Sequence, residues 1–123
     1  MSCIILVAED DVIVRNTARL LLEAEGHVVL VATDGYEALE LSRDYNGAID
    51  LLLTDVKMPR MGGLALVEQI LKERPGIRIL VMAGKMSSED LTQLPFLRKP
   101  FSAEVFREKV REVLHRPSAD VVS

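Results

Sequence analysis

Ile49-Asp50-Leu51-Leu52-Leu53-Thr54-Asp55-Val56-Lys57-Met58-Pro59-Arg60-Met61-Gly62-Gly63 holds a strand, a turn and the start of a helix in one short run. The apolar stretch from Ile49 to Leu53 suits a strand covered on both faces. Thr54-Asp55 closes it, and Pro59 with Gly62-Gly63 punctuates a loop. Leu64, Val67, Ile70 and Leu71 then recur at the spacing of one helix face.

The same unit repeats in both directions. Upstream, Ile4 to Ala8 and Val28 to Ala32 are continuously apolar runs, separated by a stripe at Val14, Ala18, Leu21 and Leu22. Downstream, Ile77 to Met82 reads as a fourth strand and Phe96-Leu97 as a weaker fifth, before a final stripe at Phe106, Val110, Val113 and Leu114. Asp34 and Glu37 have capping-box spacing and mark the start of the second helix. Gly26 ends the first helix, and Pro75-Gly76 ends the third. Only Ser87 to Leu94 is left for a fourth, a stunted segment followed at once by Pro95. Strands alternating with helices imply an α/β fold, a parallel sheet with helices on both faces. The strand order 2-1-3-4-5 is expected, taken from known doubly wound, flavodoxin-like sheets rather than derived from register.

The chain has 123 residues, 49% of them hydrophobic and 28% charged, which fits one soluble domain with a real core. The domain is expected over residues 1–116, with 117–123 as a flexible tail or linker stub. No run approaches the roughly 20 apolar residues of a membrane span, and Met1-Ser2-Cys3 lacks a secretory signal. With a single cysteine, Cys3, no internal disulfide can form, so a cytoplasmic home is the simplest. A net charge of −4 argues against direct nucleic-acid binding.

In an open parallel sheet, ligands bind beyond the carboxyl ends of the strands. The first strand ends in Glu9-Asp10-Asp11, the third in Thr54-Asp55, the fourth in Ala83-Gly84 and the fifth in Lys99-Pro100. In the order 2-1-3-4-5, Glu9, Asp10 and Asp55 converge at one rim and Lys99 faces them. Three neighbouring carboxylates need a counter-charge, and a hard divalent cation such as Mg²⁺ is the natural one. A carboxylate beside a metal and a lysine can attack a phosphoryl group. Each element alone has a plainer reading: Asp11 is an N-cap, Asp55 a turn residue, Lys99 a solvated lysine. Their conjunction, each at its own strand end, points to a site.

The pattern resembles the receiver domain of two-component response regulators, the CheY-like domains, over essentially residues 3 to 115. Leu6-Val7-Ala8-Glu9-Asp10-Asp11, Leu53 to Gly63 and Lys99-Pro100-Phe101 carry the likeness, and Asp34-Gly35-Tyr36-Glu37-Ala38-Leu39 adds to it. The resemblance implies that Asp55 accepts a phosphoryl group from the phosphohistidine of a partner, a histidine kinase or histidine-phosphotransfer protein. It implies that Mg²⁺ is held by Glu9, Asp10, Asp55 and the backbone carbonyl of Lys57. Lys99 would pair with the phosphoryl oxygen, and Lys99-Pro100 would be cis. The chain would then be no enzyme in the ordinary sense but a phosphoacceptor in a phosphorelay, turning over at most its own phosphate. His27 and His115 fall outside the site and are expected on the surface.

Two departures from that family stand out. Its members usually carry Ser or Thr at the end of the fourth strand, where Ala83 stands here. The aromatic partner of that switch is Phe96, and Ser87 or Ser88 is a candidate to reach in with a substitute hydroxyl. The second departure is the short stretch from Ala83 to Lys99, which alters the surface many relatives use to dimerise, so a homodimer stays open. Lys57 and Lys85 flank the site and are candidates to modulate the life of the phosphate. A competing function is a phosphorylation-independent protein-interaction module, favoured by Ala83. A phosphatase with an aspartyl nucleophile would need a second acid two residues on, where Lys57 stands.

Overall fold

The structure, a computed structural model, describes residues 2–84 and 94–116. Among the described residues, nine elements follow in chain order: β1 (Ile4–Ala8), α1 (Val12–Ala24), β2 (Val28–Ala32), α2 (Gly35–Asp44), β3 (Leu51–Asp55), α3 (Gly63–Glu73), β4 (Arg78–Ala83), β5 (Phe96–Arg98) and α4 (Ala103–Leu114). The strands form one parallel sheet in the order β2-β1-β3-β4-β5, as expected. Both the stunted helical segment, apart from Leu94, and the 117–123 tail lie outside the described residues.

The continuous apolar character of the strands has a direct cause. Successive side chains point to opposite faces, and here both faces are cores. Leu6, Leu52, Ile79 and Val81 pack on one side with Leu39, Leu66 and Ile70 from α2 and α3. Ile5, Val7, Leu51, Leu53, Leu80 and Met82 pack on the other with Leu22, Phe106 and Val110 from α1 and α4. Leu51, Leu52 and Leu53 are all completely buried. Burial of such a side chain stabilises by roughly 1.5–3 kcal/mol, so a polar residue anywhere in that triplet would cost more than any loop contact returns.

Strand ends differ slightly from the expected ones. β3 begins at Leu51 instead of Ile49, because Asp50 is spent on closing the sheet's amino edge. Its backbone N–H donates to Ile4 O (2.8 Å), and its carboxylate accepts from Ile4 N–H (2.7 Å). β4 likewise runs one residue later than the apolar stretch suggests.

Helix starts follow the caps. Asp11 accepts from the N–H groups of Ile13 and Val14, Asp34 from Glu37, and Ser102 from Val105. The Glu37 carboxylate reaches back to the N–H of Thr33, at 2.7 Å, which completes a box around the start of α2. At the other end of α2, Arg74 donates to the carbonyls of Ser42, Tyr45 and Gly47 and to the Ser42 hydroxyl. That satisfies carbonyls a helix end leaves open.

Register decides what sits at the carboxyl rim. Ala8 of β1 lies opposite Thr54 of β3, and Asp55 opposite Met82 of β4. Glu9 and Asp55 therefore leave the sheet side by side.

Candidate functional site at the carboxyl rim

Glu9 is completely buried, Asp55 is 8% exposed and Asp10 is open to solvent. One carboxylate oxygen from each lies within 4.8 Å of the others. Lys99 reaches over them, with Nζ 2.7 Å from Glu9 Oε1 and 3.2 Å from Asp55 Oδ2. The Lys99-Pro100 bond is cis, and the Lys99 N–H donates to Ala83 O at 2.8 Å, which seats the turn against β4. The four residues expected at the rim are thus brought together.

The electrostatics are those of an acid-rich cup. Burial pushes the Glu9 carboxyl up to about 7, against the pull of the Lys99 hydrogen bond and the Asp11 N–H. Burial also works against the Lys99 ammonium. Its bond to Glu9 and the nearby Asp55 and Glu9 charges outweigh that and hold it above the ordinary lysine value. Glu9 and Asp55 share one ammonium with Asp10 close by, so the cup is short of positive charge. An all-oxygen donor set with an open member, Asp10, suits a hard, partly hydrated cation.

The floor is set by close approach. The Asp55 Oδ1 atom accepts from the Val56 N–H (2.9 Å), and the Val56 carbonyl accepts from the Gly63 N–H (2.8 Å). A β-carbon on Gly63 would stand 2.0 Å from the Asp55 carbonyl oxygen, so only glycine lets α3 start this near the acid.

The remaining predicted residues divide. Lys57 is exposed on the loop after Asp55. Lys85, Ser87 and Ser88 lie outside the described residues. Ala83 is buried at 2% exposure and Phe96 is 38% exposed on β5, where it lies opposite Val81. His115 is exposed and caps α4. His27 is a correction, being half-buried. Its Nδ1 accepts the Cys3 N–H at 3.0 Å, and burial lowers its pKa. It closes the opposite edge of the sheet instead of facing water.

Two arginines matter that were not singled out in the sequence. Arg15 on α1 donates from one guanidinium nitrogen to the Glu9 carbonyl (2.9 Å) and toward that of Asp10 (3.4 Å). Its signal was its place one helical turn past the N-cap Asp11. Arg60 binds the buried Asp34 across 26 residues, and no local pattern announces that pair. Beside the acids, a cleft of about 500 Å³ is lined, among the described residues, by Ile13, Val14, Thr17, Gly84 and the Lys99-Pro100-Phe101 turn.

A family model for the response regulator receiver domain matches residues 5–111. Similar curated proteins include the sensor kinase CckA of Brucella abortus (strain 2308), 32% identical over 121 residues that cover 94% of this chain and 13% of the kinase. Another is the response regulator MprA of Mycobacterium sp. (strain KMS), 37% identical over 122 residues, 94% of this chain and 52% of the regulator. The chain thus spans about half, or much less, of the length of these relatives. Among solved structures, the receiver domain of the hybrid histidine kinase CckA aligns with TM-score 0.78 at 35% identity, covering 91% of this chain and 99% of that one. A CheY-like receiver domain protein from Methanospirillum hungatei JF-1 aligns with TM-score 0.80 at 29% identity, covering 93% and 94%.

Proposed function

This chain belongs to the response regulator receiver domain family of two-component systems, and on that premise we propose that it takes up a phosphoryl group on Asp55 from the phosphohistidine of a partner protein. The observation that carries the proposal is the setting of Asp55. Its carboxylate sits at the mouth of the rim, 3.2 Å from the Lys99 ammonium and in one acidic cluster with Glu9 and Asp10.

In the transfer, one Asp55 carboxylate oxygen forms a bond to phosphorus as the bond from phosphorus to the partner's imidazole nitrogen breaks. The electron pair of that bond stays on the imidazole. Lys99 turns from Asp55 to the phosphoryl oxygens and offsets their negative charge. Arg15 holds the carbonyls of Glu9 and Asp10 and so keeps both acids aimed inward. The three carboxylates suit Mg²⁺, and Glu9, Asp10, Asp55 and the Lys57 carbonyl would hold it. The cation would supply charge neutralisation at the phosphoryl group.

The partner is a histidine kinase or a histidine-phosphotransfer protein. Ile13, exposed at the rim of the apolar cleft beside Lys99, offers that partner a contact. A second reading, an interaction module that works without phosphate, draws on Ala83, which has no hydroxyl to follow a phosphoryl group. The complete acid set with its lysine weighs against it, since unused buried carboxylates cost stability.

Intact mass after incubation with Mg²⁺ and acetyl phosphate tests the proposal. One phosphoryl group on the wild type and none on Asp55→Asn is the expected result. An equal mass increase on both would move the acceptor elsewhere. No adduct and no Mg²⁺ binding would favour the interaction module.

A further inference from the structure

Arg60 has an unusual backbone and an unusual partner. Its φ of 67° makes it the one described non-glycine residue in the left-handed region, where glycine would sit without strain. Its guanidinium donates through Nε (2.8 Å) and a terminal nitrogen (2.5 Å) to Asp34 Oδ2, and stands 5.4 Å from the centre of the Tyr36 ring. Asp34 is 4% exposed and uses both oxygens: Oδ1 caps α2 through the Glu37 N–H, and Oδ2 is given to Arg60. The neighbouring Met61 carbonyl accepts the Gly35 N–H at 3.2 Å, and the Met61 side chain lies where a β-carbon on Gly35 would stand.

The loop between β3 and α3 is therefore tied at both ends. At its base the Gly63 N–H donates to the Val56 carbonyl. At its tip, Arg60 and Met61 fasten it to the start of α2. Lys57 lies between these ties, two residues past Asp55. Asp34 is buried but the Arg60 side chain is 63% exposed, so water offsets part of what the pair contributes to overall stability, and a strained backbone in the loop that leaves Asp55 is a reason to look for function.

We infer that Arg60 is a positioning residue for the cation site: by clasping Asp34 it holds the Lys57 carbonyl at the rim, together with Glu9, Asp10 and Asp55. The inference rests on the reading of the rim as a Mg²⁺ site. Nothing in it requires Arg60 to touch the cation or the phosphoryl group. Arg60→Gly is the sharpest variant, because it removes the clasp and relieves the φ strain together. A purely structural role predicts that affinity and stability move together; a positioning role separates them. Asp34→Asn keeps an oxygen for the Glu37 N–H and removes the charge, so α2 stays capped.

The experiment is a calorimetric MgCl₂ titration of the wild type, Arg60→Gly, Asp34→Asn and the double variant, with thermal melts in EDTA alongside. Losing a residue that orients a metal ligand costs roughly 10–100-fold in metal affinity, and the lower end applies to one that acts through the loop. A loss of that order is expected in Arg60→Gly, with a cation-free melting temperature within about 2 °C of wild type. The double variant should be no weaker than the worse single, since both break one clasp. Wild-type affinity in Arg60→Gly, or affinity lost only in step with melting temperature, would overturn the inference and leave the Mg²⁺ reading standing. No Mg²⁺ binding by the wild type would overturn that reading and this one with it.

Discussion

The two rims of the sheet handle charge in opposite ways. At the amino rim three polar side chains close backbone: His27 takes the Cys3 N–H, Asp50 takes the Ile4 N–H, and Arg78 donates to the Arg116 carbonyl. Charge there is also matched one to one, as between Glu25 and Arg111. At the carboxyl rim, Glu9 and Asp55 share one lysine, with Asp10 beside them. A fold spends one end on holding itself together and keeps the other poised by leaving it short of positive charge. What separates them is not the number of polar groups but the crowding of two buried carboxylates onto one ammonium.

The contrast is sharpest at Lys99. Lys99→Ala should slow acetyl phosphate-driven phosphorylation by about 100-fold, the scale of losing one charge-stabilising group, as followed by intact mass against time. A rate within a few-fold of wild type would mean the rim does not use its lysine. The amino-rim counterpart is Asp50→Ala. It strands the Ile4 N–H and should cost about 1–3 kcal/mol in denaturant unfolding, with the phosphorylation rate unchanged. A fall in rate as well would erase the division between the two ends.

The pH dependence separates the rims more gently. The Glu9 carboxyl titrates near 7 against an ordinary 4.5, so the cation-free fold favours its protonated form. The stability this contributes is complete below 4.5 and is lost as pH rises from 4.5 through 7. A cation needs the ionised form, so Mg²⁺ affinity should rise over the same interval and level off above about 7. A calorimetric pH series reads it, and a flat profile would place Glu9 outside the site. The smallest effect expected is at Lys57, exposed beside Asp55. Lys57→Glu should change the half-life of the phosphorylated form by less than about fivefold, since a single exposed charge acts through water. A larger change would make Lys57 part of the chemistry.

Much of the carboxyl rim was legible in the sequence because it is written at strand ends. Glu9-Asp10, Asp55 and Lys99 each follow an apolar run, and parallel strands all deliver their ends to one rim. His27 and Asp50 were not legible, because their role is to meet a backbone N–H that is distant in sequence. Arg15 was half-legible: the cap at Asp11 sets its turn, but not that its guanidinium folds back over the Glu9 and Asp10 carbonyls.

The sequence by itself determined the alternation of strands and helices, the two-sided burial of the sheet and the residues at each strand end. Those follow from hydrophobic period and turn chemistry, which act over a few residues. Tertiary structure alone decided the register that sets Glu9 beside Asp55, the sharing of Lys99 between them and the Arg60–Asp34 clasp. These join residues 46, 90, 44 and 26 positions apart, and contacts at such separations exist only once packing has brought the elements together.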